Sequence, residues 1–245
     1  MKLILKTGLP LLSLCMLASC GNNLSDNTPT AQTQNEVIQT DGSNIDGFYA
    51  GDIWPVNYNL HFKKIGAVGV SRSGDNFTAQ VQMSYGPKES KIQHALYTGR
   101  RCPNINDDLN KDAYIDILEA RLAIGQITIP FDADLDSQLS GFNQNISTDI
   151  NGKYVYSRSA SFERMFTDLK ASDENNRDNI TKLKEDEGLT LPGRIVLIQG
   201  LNPKIKLPES VATANGMSAH ESIPVGCAVL WKVNELPQEL TQLNP

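Results

Sequence analysis

Phe77-Thr78-Ala79-Gln80-Val81-Gln82-Met83-Ser84-Tyr85 is the stretch that decides the fold, because apolar and polar residues alternate along its whole length. Side chains of a strand point alternately to its two faces, so this pattern predicts a strand with one buried face. The preceding Ser73-Gly74-Asp75-Asn76 is a cluster of turn-forming residues. The stretch is therefore interpreted as a half-buried strand that the chain enters from a turn.

Further β-like runs surround this strand on both sides. Strands are predicted at 58–62, 67–70, 126–129, 153–157, 194–199 and 225–233. The run at 194–199 is nearly continuous in β-branched and apolar residues, which is typical of a central strand. The run at 153–157 follows Asn151-Gly152 and is predicted to be the second arm of a hairpin.

One segment departs from the strand pattern. Phe162, Met165, Phe166 and Leu169 follow the i, i+3, i+4, i+7 spacing of an amphipathic helix. Because strands dominate elsewhere, the sequence predicts a mainly β chain, an antiparallel sandwich with a helical excursion.

Composition limits the classes of function. The chain has 245 residues, 22 Lys and Arg against 28 Asp and Glu, and 40% apolar residues, enough for a substantial core. The acidic balance argues against nucleic acid as a partner. With only three His and four Cys, a multi-zinc or disulfide-dense scaffold is excluded.

Residues 1–19 are predicted to be a lipoprotein signal peptide. Lys2 and Lys6 precede an apolar run at 9–17 that is too short for a transmembrane helix of about 20 residues. The following Leu17-Ala18-Ser19-Cys20 resembles the bacterial lipobox, which implies an acylated Cys20 at the mature N-terminus and the lipid bilayer as a partner. The alternatives are an ordinary secretory signal with a chance Cys, or a buried Cys in a helix.

The rest of the chain divides into three predicted parts. Polar residues 20–46 are expected to form a flexible tether that starts at the lipidated Cys20, residues 47–235 the sandwich, and residues 236–245 a C-terminal tail. Removing residues 1–19 deletes two Lys and no acid, which takes the formal charge from −6 to −8. Gly21 after Cys20 favours the outer over the inner membrane, by similarity to enterobacterial lipoproteins.

The segment 108–119 carries the most specific chemical pattern, that of a twelve-residue EF-hand calcium loop. The predicted Ca²⁺ ligands are the side chains of Asp108, Asn110, Asp112 and Glu119, the carbonyl of Tyr114, and Asp116 acting through water. Four acidic residues in twelve would repel one another without a cation. The alternative is a solvated acidic turn before a helix, with Asp112 or Asp116 as its N-cap.

Ala113 departs from the EF-hand pattern, which places Gly at loop position 6. Loops of this pattern turn sharply there with positive φ, where a Cβ costs roughly 1 kcal/mol. A weaker calcium site is therefore expected. Pro103 excludes a normal entering helix, so the sequence predicts an EF-hand-type loop inserted between strands.

Three segments in chain order resemble bacterial lipoproteins with a domain similar to the copper/zinc superoxide dismutase and CHRD sandwiches. They are 93–102, 194–200 and 223–230, and the calcium loop directly after Cys102-Pro103 belongs to the same resemblance. The resemblance implies a Greek-key sandwich of superoxide dismutase-like or Ig-like type. It also implies a disulfide between Cys102 and Cys227, with two free buried thiols as the alternative.

The same resemblance argues against a dismutase copper site, which needs four imidazoles. The chain has only His61, His94 and His220, and Gln199 stands where the last copper ligand would be. A residual site that uses His94, Tyr97 and His220 is left open.

The function expected from these features is that of a non-enzymatic calcium-binding lipoprotein anchored in the cell envelope. Calcium would have a structural or interaction-shaping role toward an unknown envelope or extracellular protein partner. The alternatives are a metalloenzyme or copper/zinc-handling protein derived from the dismutase sandwich, and an adhesive envelope module.

Overall fold

The computed structural model describes residues 45–60, 63–136, 146–170, 182–184, 186–214 and 216–242. The strands are β1 (Gly47–Pro55), β2 (Gly66–Ser73), β3 (Asn76–Met83), β4 (Gln93–Tyr97), β5 (Ile127–Pro130), β6 (Tyr154–Ser161), β7 (Ile195–Gln199), β8 (Pro224–Val229) and β9 (Trp231–Val233). The helices are α1 (Ile117–Ile124), α2 (Phe162–Lys170), α3 (Ala219–Ser222) and α4 (Gln238–Thr241), with a 3-10 turn at Ile105–Asp107. The predicted signal peptide, Cys20 and nearly all of the tether lie outside the described residues.

All strand pairs are antiparallel, in the order β5-β4-β7-β8-β1-β2-β3-β6, with β9 also paired to β1. β1 belongs to both halves of this path. Its residues from Gly47 to Ile53 pair with β2, whereas Trp54 and Pro55 pair with β8. The path therefore bends at β1 into two layers, and the predicted mainly β antiparallel sandwich is confirmed.

The main core lies between the two layers. Val68 and Val81 from one layer share a buried cluster with Leu96 and Val196 from the other. Because side chains alternate along a strand, β7 also presents Ile195 to the opposite face. There a second buried cluster joins β4, β5 and β7 to one side of α1. The segment that carries the predicted calcium loop therefore covers the outer face of this layer.

Two predicted strands differ in the structure. Residues 58–60 form a turn, in which the Leu60 N–H donates to the Asn57 carbonyl at 2.9 Å. The predicted strand at 225–233 divides at Leu230, whose N–H donates to the Arg194 carbonyl at 2.8 Å. The chain leaves β8 of one layer at this residue and continues as β9 of the other.

The predicted hairpin also differs in its partner. Gly152 has a φ of 78°, and its N–H donates to the Asp149 carbonyl at 3.0 Å. The chain does turn here and enters β6, as predicted. β6 pairs with β3 from far along the chain, because β3 offers the free edge of its layer.

The predicted C-terminal tail contains α4, which packs on β2 and β3. Leu240 is completely buried, and a Cβ at Gly69 would lie 2.7 Å from its Cδ1. Lys64 bridges Asp52 and Glu239 at 2.7 Å each. Part of the outer face of this layer, at β2 and β3, is therefore covered by a segment that the sequence pattern does not reveal.

Gln39–Pro245 is a compact unit, and all described core residues and the Cys102–Cys227 disulfide lie within it. This unit holds the apolar core that independent folding requires. The other unit, Met1–Ile38, lies outside the described residues. No helix in the described part of the chain combines the length and apolar character needed to span a bilayer.

Candidate metal centre

The predicted calcium loop is fixed to the sandwich at both of its ends. Upstream, Cys102 forms a disulfide with Cys227 of β8, with a Cα–Cα distance of 5.7 Å. Downstream, α1 buries Ala120 and Ile124 against the outer face of the β4-β5-β7 layer. The resemblance implied this cysteine pair, and the structure contains it.

Arg101 and Asp107 brace the entry to the loop. The Arg101 guanidinium donates from Nη1 and Nη2 to the two Asp107 carboxylate oxygens, each at 2.7 Å. This bond from Arg101 is the main cause that lowers the pKa of Asp107 below its ordinary value. Asp107 also accepts the Asn104 N–H at 2.8 Å and so caps the 3-10 turn.

The backbone of the loop turns at two left-handed residues. Lys111 has a φ of 60° and Ala113 a φ of 70°. The positive φ at Ala113 is the one expected at loop position 6. Because Ala113 carries a Cβ, this conformation costs roughly 1 kcal/mol relative to Gly.

Loop side chains accept hydrogen bonds from loop N–H groups two or more residues ahead. Asp108 Oδ2 accepts from Ala113 at 3.0 Å, Asn110 Oδ1 from Asp112 at 2.9 Å, and Asp112 Oδ1 from Tyr114 at 2.8 Å. These bonds curl the chain, so that the side chains at loop positions 1, 3 and 5 share one short turn. Each of them keeps a second polar atom for other contacts.

The second oxygen of Asp108 has no partner. Its Oδ1 is buried without a hydrogen bond from any described residue. A buried carboxylate oxygen without a donor costs free energy, since it has lost water and gained nothing in return. A cation at this oxygen would remove that cost.

Asp116 and Glu119 link the loop to α1. Asp116 Oδ1 accepts the N–H groups of Leu118 and Glu119 at 2.8 and 3.0 Å, so Asp116 is the N-cap of α1. Its Oδ2 accepts the Ala212 N–H at 2.9 Å. Both Asp116 oxygens are therefore engaged, and the N-cap role is the one that the alternative interpretation of the loop assigned to it.

The Glu119 carboxylate reaches back across the loop. Oε1 accepts the N–H groups of Leu109 and Asn110 at 2.8 and 3.0 Å, and Oε2 accepts that of Asp116 at 3.1 Å. Within the described residues, no group of three or more His, Cys, Asp or Glu side chains is arranged to hold a metal ion. The hydrogen bonds explain this absence, because they direct the carboxylates toward backbone N–H groups and away from one another.

Asn57 and Asn59 hold the loop against the sandwich, and sequence reasoning missed both. Asn57 Oδ1 accepts the Ile115 N–H at 2.7 Å, while its Nδ2 donates to the carbonyls of Ile115 at 3.1 Å and Pro224 at 2.7 Å. Asn59 Nδ2 donates to the Ala113 carbonyl at 2.7 Å. The Asn57 carboxamide thus satisfies both the N–H and the carbonyl of Ile115, as a neighbouring strand would do. These bonds replace those that a second, paired loop would provide.

Ser210 contacts the loop from the 201–214 segment. Its hydroxyl donates a short hydrogen bond to Asp112 Oδ2, which also accepts from Asn110 Nδ2 at 3.1 Å. Burial raises the pKa of Asp112, but the bonds from Ser210, Tyr114 and Asn110 outweigh it and hold this pKa below its ordinary value. Asp112 is therefore ionised at neutral pH, and both of its oxygens accept hydrogen bonds.

The histidines do not converge within the described residues. His94 lies between the layers, where its Nε2 is 2.7 Å from the Tyr154 hydroxyl, and burial lowers its pKa to about 4. Tyr97 belongs to the cluster on the opposite face and donates to Gln199 Oε1 at 3.3 Å. His220 Nε2 lies 2.7 Å from the Ile205 carbonyl. His94 and Tyr97 point to opposite faces of β4, so the residual site left open with His220 does not form, and His61 lies outside the described residues.

No family model matches the chain, and no curated protein does. Similar solved structures include a point mutant of a SOD-like protein from Bacillus subtilis, at 12% identity over 74% of this chain and 97% of that one, with a TM-score of 0.37. The Cu/Zn superoxide dismutase from Brucella abortus has 15% identity over 74% of this chain and 98% of its own, also with a TM-score of 0.37. Structural similarity at these TM-scores does not indicate an activity. The assignment of the fold rests on the strand pairing described above.

Proposed function

We propose that this chain is a non-enzymatic calcium-binding lipoprotein of the cell envelope, in which calcium fixes the loop 108–119. The observation that carries this proposal is the buried Asp108 Oδ1, which has no hydrogen-bond donor among the described residues. It lies in a loop whose side chains and backbone turns follow the spacing of a calcium loop. Calcium binds carboxylate, amide and carbonyl oxygens, which this loop supplies.

The charge of the loop supports a cation. Asp108, Asp112, Asp116 and Glu119 face only Lys111 as a basic residue inside the twelve-residue segment. Backbone N–H groups offset part of this charge, since they are partial positive dipoles. A divalent ion would offset more of it, in a place where burial makes electrostatic interactions stronger than in water.

Asp108, Asn110, Asp112, the Tyr114 carbonyl and Glu119 would hold the ion, and Asp116 would contact it through water while it caps α1. Glu119 would turn away from the Leu109 and Asn110 N–H groups to reach the ion. Asn110 now donates its Nδ2 to Asp112 Oδ2 at 3.1 Å, while its Oδ1, the atom that would ligate calcium, accepts the Asp112 N–H at 2.9 Å. Bound calcium would stabilise the segment between the disulfide and α1, and would thereby define the surface that this segment presents to a partner.

The anchoring part of the proposal rests on Leu17-Ala18-Ser19-Cys20, which fits a lipobox. An acylated Cys20 would place the domain on a membrane, with the outer membrane favoured by Gly21, at the end of a polar tether. The non-enzymatic part rests on the separation of His94 and Tyr97 and on the Gln199 that replaces an imidazole.

Calorimetry tests the proposed calcium site. The unit Gln39–Pro245, stripped with chelator, is titrated with CaCl₂, and its melting temperature is measured with calcium and with EDTA. Stoichiometric heat of binding and a higher melting temperature with calcium are expected. Asp108→Asn should remove most of both effects, because it keeps an acceptor for the Ala113 N–H but removes the charge.

Asp186→Asn is the matched control, since Asp186 is exposed and distant in sequence from the loop. This variant should bind calcium as the parent does. The absence of heat and of any melting shift in the parent would refute the proposal. Equal loss in both variants would show that the effect is only general electrostatics.

A further inference from the structure

Four large aliphatic side chains are exposed around the calcium loop. Their exposed fractions are 62% for Ile105, 66% for Leu109, 48% for Leu118 and 86% for Leu122. Leucine is among the residues most often buried in folded proteins, so four such side chains in eighteen consecutive residues need a physical reason.

The contacts of the segment bring the positions of these four residues close to α1. The bond from the Leu109 N–H to Glu119 Oε1 holds loop position 2 against the first turn of α1. Leu118 and Leu122 are one turn apart on the helix and so lie on the same stripe. The 3-10 turn that carries Ile105 also contacts α1.

α1 is therefore apolar on two sides. Its inner stripe, which includes Ala120 and Ile124, is buried against the sandwich. A helix on a sheet is normally polar on its outer stripe. Here the outer stripe carries two leucines with no covering element in the described part of the chain.

Two basic residues border these aliphatic side chains. Lys111 and Arg121 are exposed, and neither forms an ion pair with a carboxylate of the described residues. An apolar surface with unpaired cations at its border has the charge and hydrophobicity that an anionic lipid surface attracts.

We infer that the face formed by Ile105, Leu109, Leu118, Leu122, Lys111 and Arg121 docks on an anionic membrane surface when the loop holds calcium. This docking face rests on the proposed function, both for the ion and for the anchor at Cys20. The aliphatic side chains would enter the boundary between headgroups and acyl chains, while Lys111 and Arg121 approach lipid phosphates.

The predicted tether, residues 20–46, would be long enough for this contact. As a flexible chain of 27 residues it would have a root-mean-square extent of roughly 30 Å, so the domain would stay within reach of a bilayer that holds Cys20.

We expect membrane docking to depend on calcium because acidic residues lie beside the docking face. Asp108 and Asp112 would repel lipid phosphates, and bound calcium would add two positive charges at the same place. The ion would also hold the loop that carries Leu109 in one conformation.

Vesicle flotation tests the docking face with the unit Gln39–Pro245, which lacks the lipid anchor. Vesicles with about one third phosphatidylglycerol in phosphatidylcholine are compared with pure phosphatidylcholine, each with calcium and with EDTA. Binding is expected only to the anionic vesicles with calcium, and it should weaken at high salt. Leu122→Ser should reduce binding at least about tenfold, because a buried Leu side chain contributes that much.

Ile150→Ser is the matched control, since Ile150 is 68% exposed and lies in the turn before β6. It should leave vesicle binding unchanged. Calorimetry without vesicles should show equal calcium binding in the parent and in Leu122→Ser.

The two proposals fail in different ways. Calcium heat in solution without vesicle binding would overturn the docking face and leave the calcium site intact. If calcium gives no heat of binding, the calcium site is refuted and calcium-dependent docking with it. Vesicle binding that is equal with calcium and with EDTA would also overturn calcium-dependent docking. A parent dimer in sedimentation that Leu122→Ser converts to a monomer would assign the face to a second copy of the chain and would also overturn membrane docking.

Discussion

At the scale of single residues, Ala113 has a conformation that its side chain disfavours. With a φ of 70°, it places a Cβ where glycine would be free of strain. Ala113→Gly should raise the free energy of unfolding by up to about 1 kcal/mol and strengthen calcium binding. Chemical denaturation and calorimetry measure the two effects.

Ala123→Gly is the control for that change, because Ala123 lies in α1 with ordinary helical geometry. There the same substitution should lower the free energy of unfolding by about 1 kcal/mol, through lost helix propensity and packing. Destabilisation of similar size by both changes would contradict the assignment of strain to Ala113.

Burial of His94 makes the stability of the domain depend on pH. Its pKa falls from 6.5 to about 4 on folding, so it stays neutral while the unfolded chain takes up a proton. Stability is then complete above about pH 6.5 and decreases as pH falls toward 4, by about 3 kcal/mol in total. His94→Phe should flatten the dependence of the unfolding free energy on pH in this window.

His220→Phe is the matched comparison, because His220 is only partly buried. The pH profiles of both variants are compared with that of the parent. If His94→Phe left the slope unchanged, burial of a neutral imidazole would not be the origin of the acid sensitivity between pH 6.5 and 4.

At the scale of elements, the segment after β1 contributes as much to the stability of the loop 108–119 as the residues of the loop do. Asn57→Ala would leave the Ile115 N–H and two carbonyls without their buried partner. Each unsatisfied buried group costs about 1–3 kcal/mol, so we expect a loss of a few kcal/mol and weaker calcium binding. Urea denaturation and calorimetry measure both.

Asn59→Ala gives the comparison for Asn57, since Asn59 makes one exposed hydrogen bond to the Ala113 carbonyl. Its cost should stay below about 1 kcal/mol, because water can replace the amide. Equal costs for the two substitutions would show that the carboxamide of Asn57 is not the clamp of the loop.

Elements with a simple pattern could be predicted from the sequence, and those shaped by distant contacts could not. β3 and β7 follow their apolar patterns closely. β1 was missed because Gly51 and Asp52 interrupt its alternation, although it pairs with three other strands. The turn at 58–60 was mistaken for a strand because Asn57 is engaged with a loop fifty-eight residues away.

At the scale of the whole molecule, the sequence predicted a sandwich and a cysteine pair, but not how the pair and the loop share one face. The Cys102–Cys227 link, α1 and the loop all cover the same layer, opposite the His94 side of β4. Spacing along a chain reveals ligands that are close in sequence. It cannot reveal Asn57 or Ser210, which reach the loop from segments 58 and 98 residues away.

β1 also determines how the domain would bear load. A pull from the proposed anchor at Cys20 would reach the described core at Ile45 and then β1, the strand that joins both layers. Force along this strand is shared by all of its hydrogen bonds to β2 and β9, so that they do not break one after another. The position of β1 in the fold would therefore make the point of attachment one of the mechanically strongest parts of the domain.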